Sequence, residues 1–377
     1  RIAKMIHGGS RIGTVVVLLF ATSLANAGEP LDASVAKHEG SILWYDLKLL
    51  DVEGQGWTET KAPFDRLPAK AEGVVRDPVW QLSRHSAGLC ARFVSNATTI
   101  KARWTLTSEN LAMPHMPATG VSGIDLYVKF KGRWRWLANG RPSGVTTSLD
   151  LAAGLPDGER EYLLYLPLYN GVTSVEVGIA PEHQIGKAES YAADRAQPIV
   201  FYGTSITQGG CASRPGMVHT AILGRRLGRP VINLGFSGNG KMEPELAGLL
   251  AELDPALYVL DCLPNMNADE VAQRVEPFIS TIRRKRPGTP ILLVEDRNYT
   301  DGFLVEGKRV RNEASHAALK AVYERLLAAG DKHLGYLRGE YLLGEDGEGT
   351  VDTSHPTDLG FLRQAAVFQS ALEPLLR

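Results

Sequence analysis

Apolar and polar residues alternate one by one along much of the chain between about Leu43 and Ala180. In Ile100 to Leu106 every second residue is apolar, and Leu126 to Phe130 repeats this spacing. Successive side chains of an extended strand point to opposite faces, so the alternation is typical of strands with one wet face. Gly, Pro, Asn and Asp residues separate these stretches. The pattern predicts an antiparallel β-sandwich.

From about Gln197 onward, short and continuous apolar runs alternate with stretches of helical spacing. The runs are Ile199 to Tyr202, Val231 to Phe236, Leu257 to Asp261, Ile291 to Glu295 and Leu334 to Leu337. Such alternation is typical of a parallel sheet with helices on both faces. We expect the strand order 2-1-3-4-5, with a ligand site beyond the carboxyl ends of the strands.

The first 27 residues have the pattern of a secretory signal peptide. Arg1, Lys4 and Arg11 precede an apolar run over residues 12–24, and an A-x-A site ends at Ala27. This pattern predicts cleavage after Ala27. A retained membrane anchor is not expected, because the run is short for a membrane span, and no cysteine follows it for lipid attachment. The mature protein is therefore expected to be periplasmic or secreted, without a stable membrane anchor. The sandwich is then assigned to residues 28–195 and the parallel-sheet domain to residues 196–377.

Overall composition excludes some classes of function. The 377 residues carry a formal net charge of -1, which gives no electrostatic indication of nucleic-acid binding. The nine histidines are not grouped at ligand spacing, so we expect neither a metal nor a cofactor. Three cysteines are too few for a disulfide scaffold. Cys211 and Cys262 follow strands expected to be neighbours, which leaves open a disulfide or two buried thiols.

The ends of the predicted parallel strands carry polar groups suited to ester cleavage. Ser205 follows the first strand in "FYGTSITQGG", and Asp352 and His355 lie in "VDTSHPTDLG" just before the last helix. If Ser205 is the nucleophile, His355 would be the general base and Asp352 would orient its ring. The oxyanion would be bound by the Ser205 N–H, the Gly238 N–H and the Asn265 amide.

Each segment taken alone also fits a simpler interpretation. Ser205 could be a helix N-cap, and the D-x-x-H segment a turn. The stretch Gly235 to Lys241 matches the spacing of a phosphate-binding loop, but Met242 stands where Ser or Thr would bind magnesium. The joint occurrence of the segments favours a hydrolase site.

Two groups of residues leave their roles open. Trp134 and Trp136 fit either a sugar-stacking platform or the sandwich core. The run Glu295 to Arg297 follows the fourth parallel strand, where it fits substrate contact as well as ion pairing and helix capping.

The strand-end segments resemble the SGNH (GDSL-type) hydrolase superfamily. Ser205, Gly238, Asn265 and His355 match its four signature positions in order, over roughly Pro198 to the C-terminus. Upstream, "GIDLY" at residues 123–127 is similar to the GxDLY-type domain that precedes the hydrolase domain in one subgroup.

Two positions depart from the family pattern. Thr204 replaces the Asp of the GDSL name, and Met266 replaces an Asp found in many members. Neither change removes a catalytic atom, but both weaken any inference about substrate from better-known members.

The resemblance implies a jelly-roll-like antiparallel β-sandwich followed by a flavodoxin-like α/β/α domain with a five-stranded parallel sheet. It also implies a serine esterase that hydrolyses short acyl esters, O-acetyl groups on carbohydrate above all, through a Ser205 acyl-enzyme. The expected partner is a small-molecule or polysaccharide ester. An O-acyltransferase with the same triad, or a non-catalytic glycan-binding protein, are the alternatives.

Overall fold

A computed structural model describes residues 28–376, so the predicted signal peptide lies outside the described residues. The strands are β1 (Lys37–Glu39), β2 (Ile42–Asp46), β3 (Asp51–Glu53), β4 (Cys90–Ser95), β5 (Thr99–Leu106), β6 (Ile124–Phe130), β7 (Arg133–Gly140), β8 (Thr146–Ala153), β9 (Arg160–Tyr165), β10 (Val172–Ile179), β11 (Ile185–Lys187), β12 (Ile199–Gly203), β13 (Val231–Gly235), β14 (Leu257–Asp261), β15 (Ile291–Val294) and β16 (Leu334–Leu337). The α-helices are α1 (Asp77–Ser83), α2 (Ala118–Val121), α3 (Ser205–Gln208), α4 (His219–Leu227), α5 (Pro244–Leu250), α6 (Ala268–Lys285), α7 (Glu306–Ala328) and α8 (Asp358–Leu372).

The first half of the chain forms two antiparallel sheets packed face to face, as predicted. One sheet has the order β1-β2-β10-β5-β8, and the other has the order β11-β4-β9-β6-β7 with β3 beside β4. The inward residues of both sheets, such as Trp104 and Tyr162, are fully buried between them. Trp134 and Trp136 lie outside this core on β7, and Trp136 is 49% exposed. The interpretation of these two residues as sandwich core was therefore wrong.

The second half contains a five-stranded parallel sheet in the order β13-β12-β14-β15-β16, which is the expected 2-1-3-4-5. Helices α5, α6 and α7 pack on one face and α4 and α8 on the other. This is the predicted α/β/α arrangement, and it brings the carboxyl ends of β12, β13 and β14 side by side. None of the helices between residues 28 and 376 combines the length and apolar character needed to cross a bilayer.

A segment from the first half of the chain belongs to the parallel-sheet core. Leu67, Val75, Val79 and Trp80 are buried in the same cluster as β12, β13 and α6. Just before them the buried guanidinium of Arg66 donates to the carbonyl oxygens of Asn233 (3.1 Å) and Gly235 (2.7 Å) in β13. A stretch that the sequence assigns to residues 28–195 thus covers the sheet of the second half.

Candidate active site

Ser205 lies in a tight turn at the carboxyl end of β12. It begins α3, and the side chain of Thr204 caps that helix by accepting from the Ile206 N–H at 3.3 Å. The N–H groups of Gly209 and Gly210 both donate to the Ser205 carbonyl, at 2.9 and 2.8 Å. The capping role considered for Ser205 therefore falls to Thr204, and the Ser205 hydroxyl is left for another partner.

The Ser205 hydroxyl is hydrogen-bonded to His355, and Asp352 is hydrogen-bonded to the other nitrogen of the His355 ring. The distance from Ser205 Oγ to His355 Nε2 is 2.7 Å, and His355 Nδ1 lies 2.7 Å from Asp352 Oδ2. The other carboxylate oxygen of Asp352 accepts from the N–H groups of His355 (2.7 Å) and Ser354 (3.1 Å). The three predicted residues therefore lie in the hydrogen-bonded line that a Ser-His-Asp triad requires.

The Asp352 carboxylate is held in its ionised form. Partial burial opposes ionisation, but the hydrogen bonds from the backbone and ring of His355 outweigh it and lower the pKa of Asp352. The loop itself is braced at Thr353, which has φ of +75°. Its hydroxyl accepts from Lys308 Nζ at 2.7 Å, and its carbonyl accepts from the Thr300 N–H at 3.0 Å. Asp352 is therefore a charged residue held at a fixed position, from which it can orient the His355 ring.

Gly238 lies in the turn after β13 with its backbone in the left-handed region, at φ of +68°. A Cβ at this position would meet no protein atom within 4 Å, so within the protein itself the left-handed backbone, and not a lack of space, accounts for the glycine. The turn continues to Gly240, and α5 begins only at Pro244. A phosphate-binding loop runs directly into its helix, so this spacing also argues against that alternative.

Asn265 follows β14 and is half-buried. Its amide is best satisfied when the oxygen accepts from the N–H groups of Asn239 (3.0 Å) and Gly240 (3.1 Å). The opposite orientation offers only a 3.5 Å contact from Nδ2 to the Phe236 carbonyl. The oxygen thus anchors the amide to the Gly238 turn, and Nδ2 is the atom that would donate to a ligand.

Gln208 connects the nucleophile turn to the Gly238 turn, and sequence reasoning missed it. Its Oε1 accepts from the Ser237 N–H at 3.0 Å, and its Nε2 donates to the Leu168 carbonyl at 3.1 Å and to His85 Nδ1 at 3.2 Å. Burial and the nearby Arg66 charge lower the pKa of His85 to about 4, so its ring remains neutral and can accept. Gln208 therefore fixes the turn that carries Gly238.

The first half of the chain contributes two further side chains near the triad. Tyr169 donates its hydroxyl to the Ser205 carbonyl at 3.2 Å. His115, exposed at the tip of the Met113–Met116 turn, has its ring centroid 6.3 Å from that of His355. No local pattern singles out these residues, because only the packing of the two halves brings them to the site.

The GIDLY segment joins the two halves. Asp125, fully buried in β6, accepts from Arg214 Nη1 (2.7 Å), the Gly216 N–H (2.9 Å) and Trp136 Nε1 (2.7 Å). Gly123 has no room for a side chain, since a Cβ would lie 2.4 Å from the Thr119 carbonyl oxygen. Asp125 thus ties the sandwich to the loop that follows the nucleophile turn.

The structure decides two of the questions that the sequence left open. Cys211 and Cys262 are buried free thiols. Cys262 Sγ contacts the Tyr202 carbonyl at 3.7 Å, while burial and the Asp352 charge raise the pKa of Cys211 to about 12.

The Glu295–Arg297 run is structural. All three side chains are buried, and Arg297 pairs with Asp261 and donates to Gln364 at 2.9 Å. Glu295 accepts from Tyr336 and Asp296 from Arg311, so substrate contact by these residues was the wrong alternative.

Comparison with known proteins agrees with this architecture. The pattern of the GDSL-like lipase/acylhydrolase family matches residues 196–373, and that of the N-terminus of SGNH hydrolase-type esterases matches residues 42–185. Among curated proteins, none matches the chain significantly.

Three solved structures are similar to the chain. One, described as a GDSL-like lipase from Bacteroides ovatus, is 37% identical, with a TM-score of 0.84 over 89% of this chain and 98% of that one. A salicylyl-acyltransferase from a tetracycline biosynthetic pathway is 19% identical, with a TM-score of 0.68 over 93% and 98%. An acetyl xylan esterase from the rumen bacterium Butyrivibrio proteoclasticus is 11% identical, with a TM-score of 0.53 over 89% and 99%. The two more distant likenesses concern the fold alone. Together with the two family patterns, the first likeness shows that the chain belongs to the SGNH (GDSL-type) hydrolase superfamily, in the group that carries a GxDLY N-terminal domain.

Proposed function

We propose that this protein is an exported serine esterase that removes short acyl groups, O-acetyl groups above all, from carbohydrate. The observation that carries the proposal is the hydrogen-bonded line from Ser205 through His355 to Asp352, with 2.7 Å at each side-chain step. This line lies at the carboxyl edge of the parallel sheet, where ligands of such folds bind.

In the proposed reaction, His355 Nε2 takes the Ser205 proton as Oγ attacks the ester carbonyl. The Asp352 carboxylate keeps the proton of the ring on Nδ1 and stabilises the imidazolium. Negative charge then develops on the carbonyl oxygen, where the N–H groups of Ser205 and Gly238 and the Asn265 amide would donate to it. His355 returns its proton to the leaving alcohol, and water repeats the sequence on the acyl-enzyme.

Hydrolysis is the first candidate, because the triad is open to solvent. The side chains of Asp352 and His355 are 45% and 27% exposed, so water can approach the acyl-enzyme. The likeness to an acyltransferase makes transfer the second candidate. Incubation with an acetyl ester and a free sugar acceptor, followed by measurement of released acetate against acetylated sugar, separates the two.

The nucleophile is tested by labelling with an organophosphonate and by Ser205→Ala. We expect the label on Ser205 alone and essentially no turnover of an activated acetyl ester by the variant. Ser354→Ala is the matched control, because it keeps the N–H that donates to Asp352. Labelling at another residue would refute the assignment, and a panel of acetylated glycans assayed for acetate identifies the substrate. A glycan-binding protein without activity would show no burst.

A further inference from the structure

The loop that carries Asp352 and His355 contains a residue in a costly backbone conformation. Thr353 has φ of +75°, and of the four non-glycine residues with positive φ among residues 28–376 it alone is β-branched. A branched Cβ makes the left-handed region unfavourable, so such a residue stays there only where its surroundings impose it. The loop must therefore need this conformation, and some contact must hold it.

The left-handed turn at Thr353 gives Asp352 its place beside His355. The chain reverses here, so that one carboxylate oxygen of Asp352 accepts from the N–H groups of Ser354 and His355, at 3.1 and 2.7 Å. The second oxygen lies 2.7 Å from His355 Nδ1. The Val351 N–H donates to the His355 carbonyl at 2.8 Å and closes the loop. An extended backbone at Thr353 would carry the two N–H groups and the ring away from the carboxylate.

Lys308, in the first turn of α7, is the side chain that contacts Thr353. Its Nζ donates to Thr353 Oγ1 at 2.7 Å and to Asp301 Oδ2 at 2.6 Å. The same Nζ lies 5.2 Å from the centroid of the Tyr299 ring. The side chains of Lys308 and Asp301 are 35% and 31% exposed, so their pair is partly shielded from water. Because Asp301 and Tyr299 already hold the ammonium group, little further freedom is lost when it bonds to Thr353.

We propose that Lys308 is a positioning residue of the triad, which keeps Thr353 in its left-handed conformation and thereby holds Asp352 against the His355 ring. Within the described chain its side chain bonds to Asp301 and Thr353 and to no member of the triad, so it acts through Thr353. The effect on rate rests on the proposed function, whereas the effect on the loop is argued from its geometry alone.

A double-mutant cycle separates this role from a direct effect of the Lys308 charge on His355. Lys308→Met should lower kcat for an activated acetyl ester roughly fivefold or more, because the loop loses the charged donor that offsets its strain. KM should stay within about twofold, since His355 serves both the formation and the hydrolysis of the acyl-enzyme. In the Thr353→Gly background the same change should cost less than about twofold, because glycine adopts positive φ without support. A charge effect would be equal in both backgrounds.

Thr353→Val tests the same contact from the other partner. Valine keeps the branched Cβ but lacks the hydroxyl that accepts from Lys308, and the pair between Lys308 and Asp301 stays intact. We expect a loss of kcat similar to that of Lys308→Met, and no further loss when the two changes are combined. Lys320→Met, about three turns further along α7, is the matched control. Lys320 pairs with Glu324 at 3.7 Å, and its replacement should leave turnover unchanged.

Nitrogen NMR of the His355 ring, recorded above the usual pKa of histidine, reports the loop geometry without turnover. Asp352 keeps the proton of the neutral ring on Nδ1, and we expect that form in the unmutated protein. Lys308→Met and Thr353→Val should give a mixture with the Nε2 form, and Lys308→Met/Thr353→Gly should restore the first form. Unchanged kcat in Lys308→Met, an equal loss in both backgrounds, or a tautomer that no variant shifts would overturn the proposal. If the variants shift the tautomer as expected but the unmutated protein has no turnover, the positioning role stands and the proposed function fails.

Discussion

Replacing Asn265 by Ala tests whether its amide donates to the oxyanion or only holds a loop. One such donor acts mainly on the transition state, because the charge on the carbonyl oxygen develops only there. Its loss should lower kcat by roughly 10²–10³, which is about 2.7–4 kcal/mol, with little change in KM. The effect on folding should be small, since the N–H groups of Asn239 and Gly240 also donate to the Phe236 carbonyl, at 2.8 and 3.0 Å. Two weakened bonds of this kind cost roughly 1–2 kcal/mol, a shift of a few degrees in Tm.

Two further variants separate the roles. Asn265→Asp keeps an oxygen facing Asn239 and Gly240 but has no N–H, so kcat should fall at least as far as in the Ala variant. Asn267→Ala, two residues away, removes the N-cap of α6, which costs about 1 kcal/mol of stability without touching the site. Steady-state kinetics with an activated acetyl ester and a melting curve are measured for each protein. Near-normal kcat in Asn265→Asp, or losses of kcat that follow Tm across all three variants, would refute the donor role.

Three other outcomes follow from the same structure. Asp352→Asn should lower kcat by roughly 10⁴, because the amide no longer keeps the His355 proton on Nδ1, as in other Ser-His-Asp triads; a loss below tenfold in a protein with unchanged Tm would contradict this role. His219 is fully buried without a partner for either ring nitrogen in the described part of the chain, and burial together with the Arg297 charge holds its pKa well below the usual range. Below about pH 6.5 the unfolded chain takes up a proton at His219 and the folded chain does not. His219 alone should therefore lower the free energy of unfolding by about 1.4 kcal/mol for each pH unit below that value. Denaturant unfolding of His219→Phe at pH 7 and 5.5 should show a smaller loss than the unmutated protein; an equal loss would exclude His219 as the cause. If His115 contacts the alcohol part of the substrate, His115→Ala should raise KM for a glycan ester severalfold and leave kcat for a small activated ester unchanged. The reverse pattern would contradict such a contact.

The parallel-sheet half was predictable because its signals are local. Each strand from β12 to β16 is a continuous apolar run, and buried parallel strands require such runs. The positions of Ser205, Gly238 and Asn265 follow from the strand order, since strand ends that are neighbours in the sheet place their first loop residues together. The D-x-x-H spacing likewise puts Asp352 and His355 in one turn.

Contacts between distant parts of the chain were not predictable in this way. Short strands such as β3 and β11 have three residues each, too few for an alternation to stand out. Gln208 looks like any helical glutamine until the Ser237 N–H is found beside it. Tyr169 and His115 reach the site through the packing of the two halves, to which the Asp125–Arg214 pair contributes. The hydrophobic pattern of a segment predicts its secondary structure, but contacts with residues distant in the sequence do not change that pattern.

The segment that carries Arg66 and Trp80 has a consequence for how the protein is made. It leaves the ribosome more than a hundred residues before β12, β13 and β14, the strands that it covers, so its apolar side chains cannot find their place early in synthesis. Contacts between residues so far apart in the sequence slow folding, and until they form the exposed hydrophobic surface favours aggregation. A gene cut at the boundary between residues 195 and 196 would yield a sheet with one face partly bare and the carbonyl oxygens of Asn233 and Gly235 deprived of their guanidinium. The two architectures therefore cannot be exchanged like separate modules, and any fusion or domain swap must carry residues 66–80 along with the sheet.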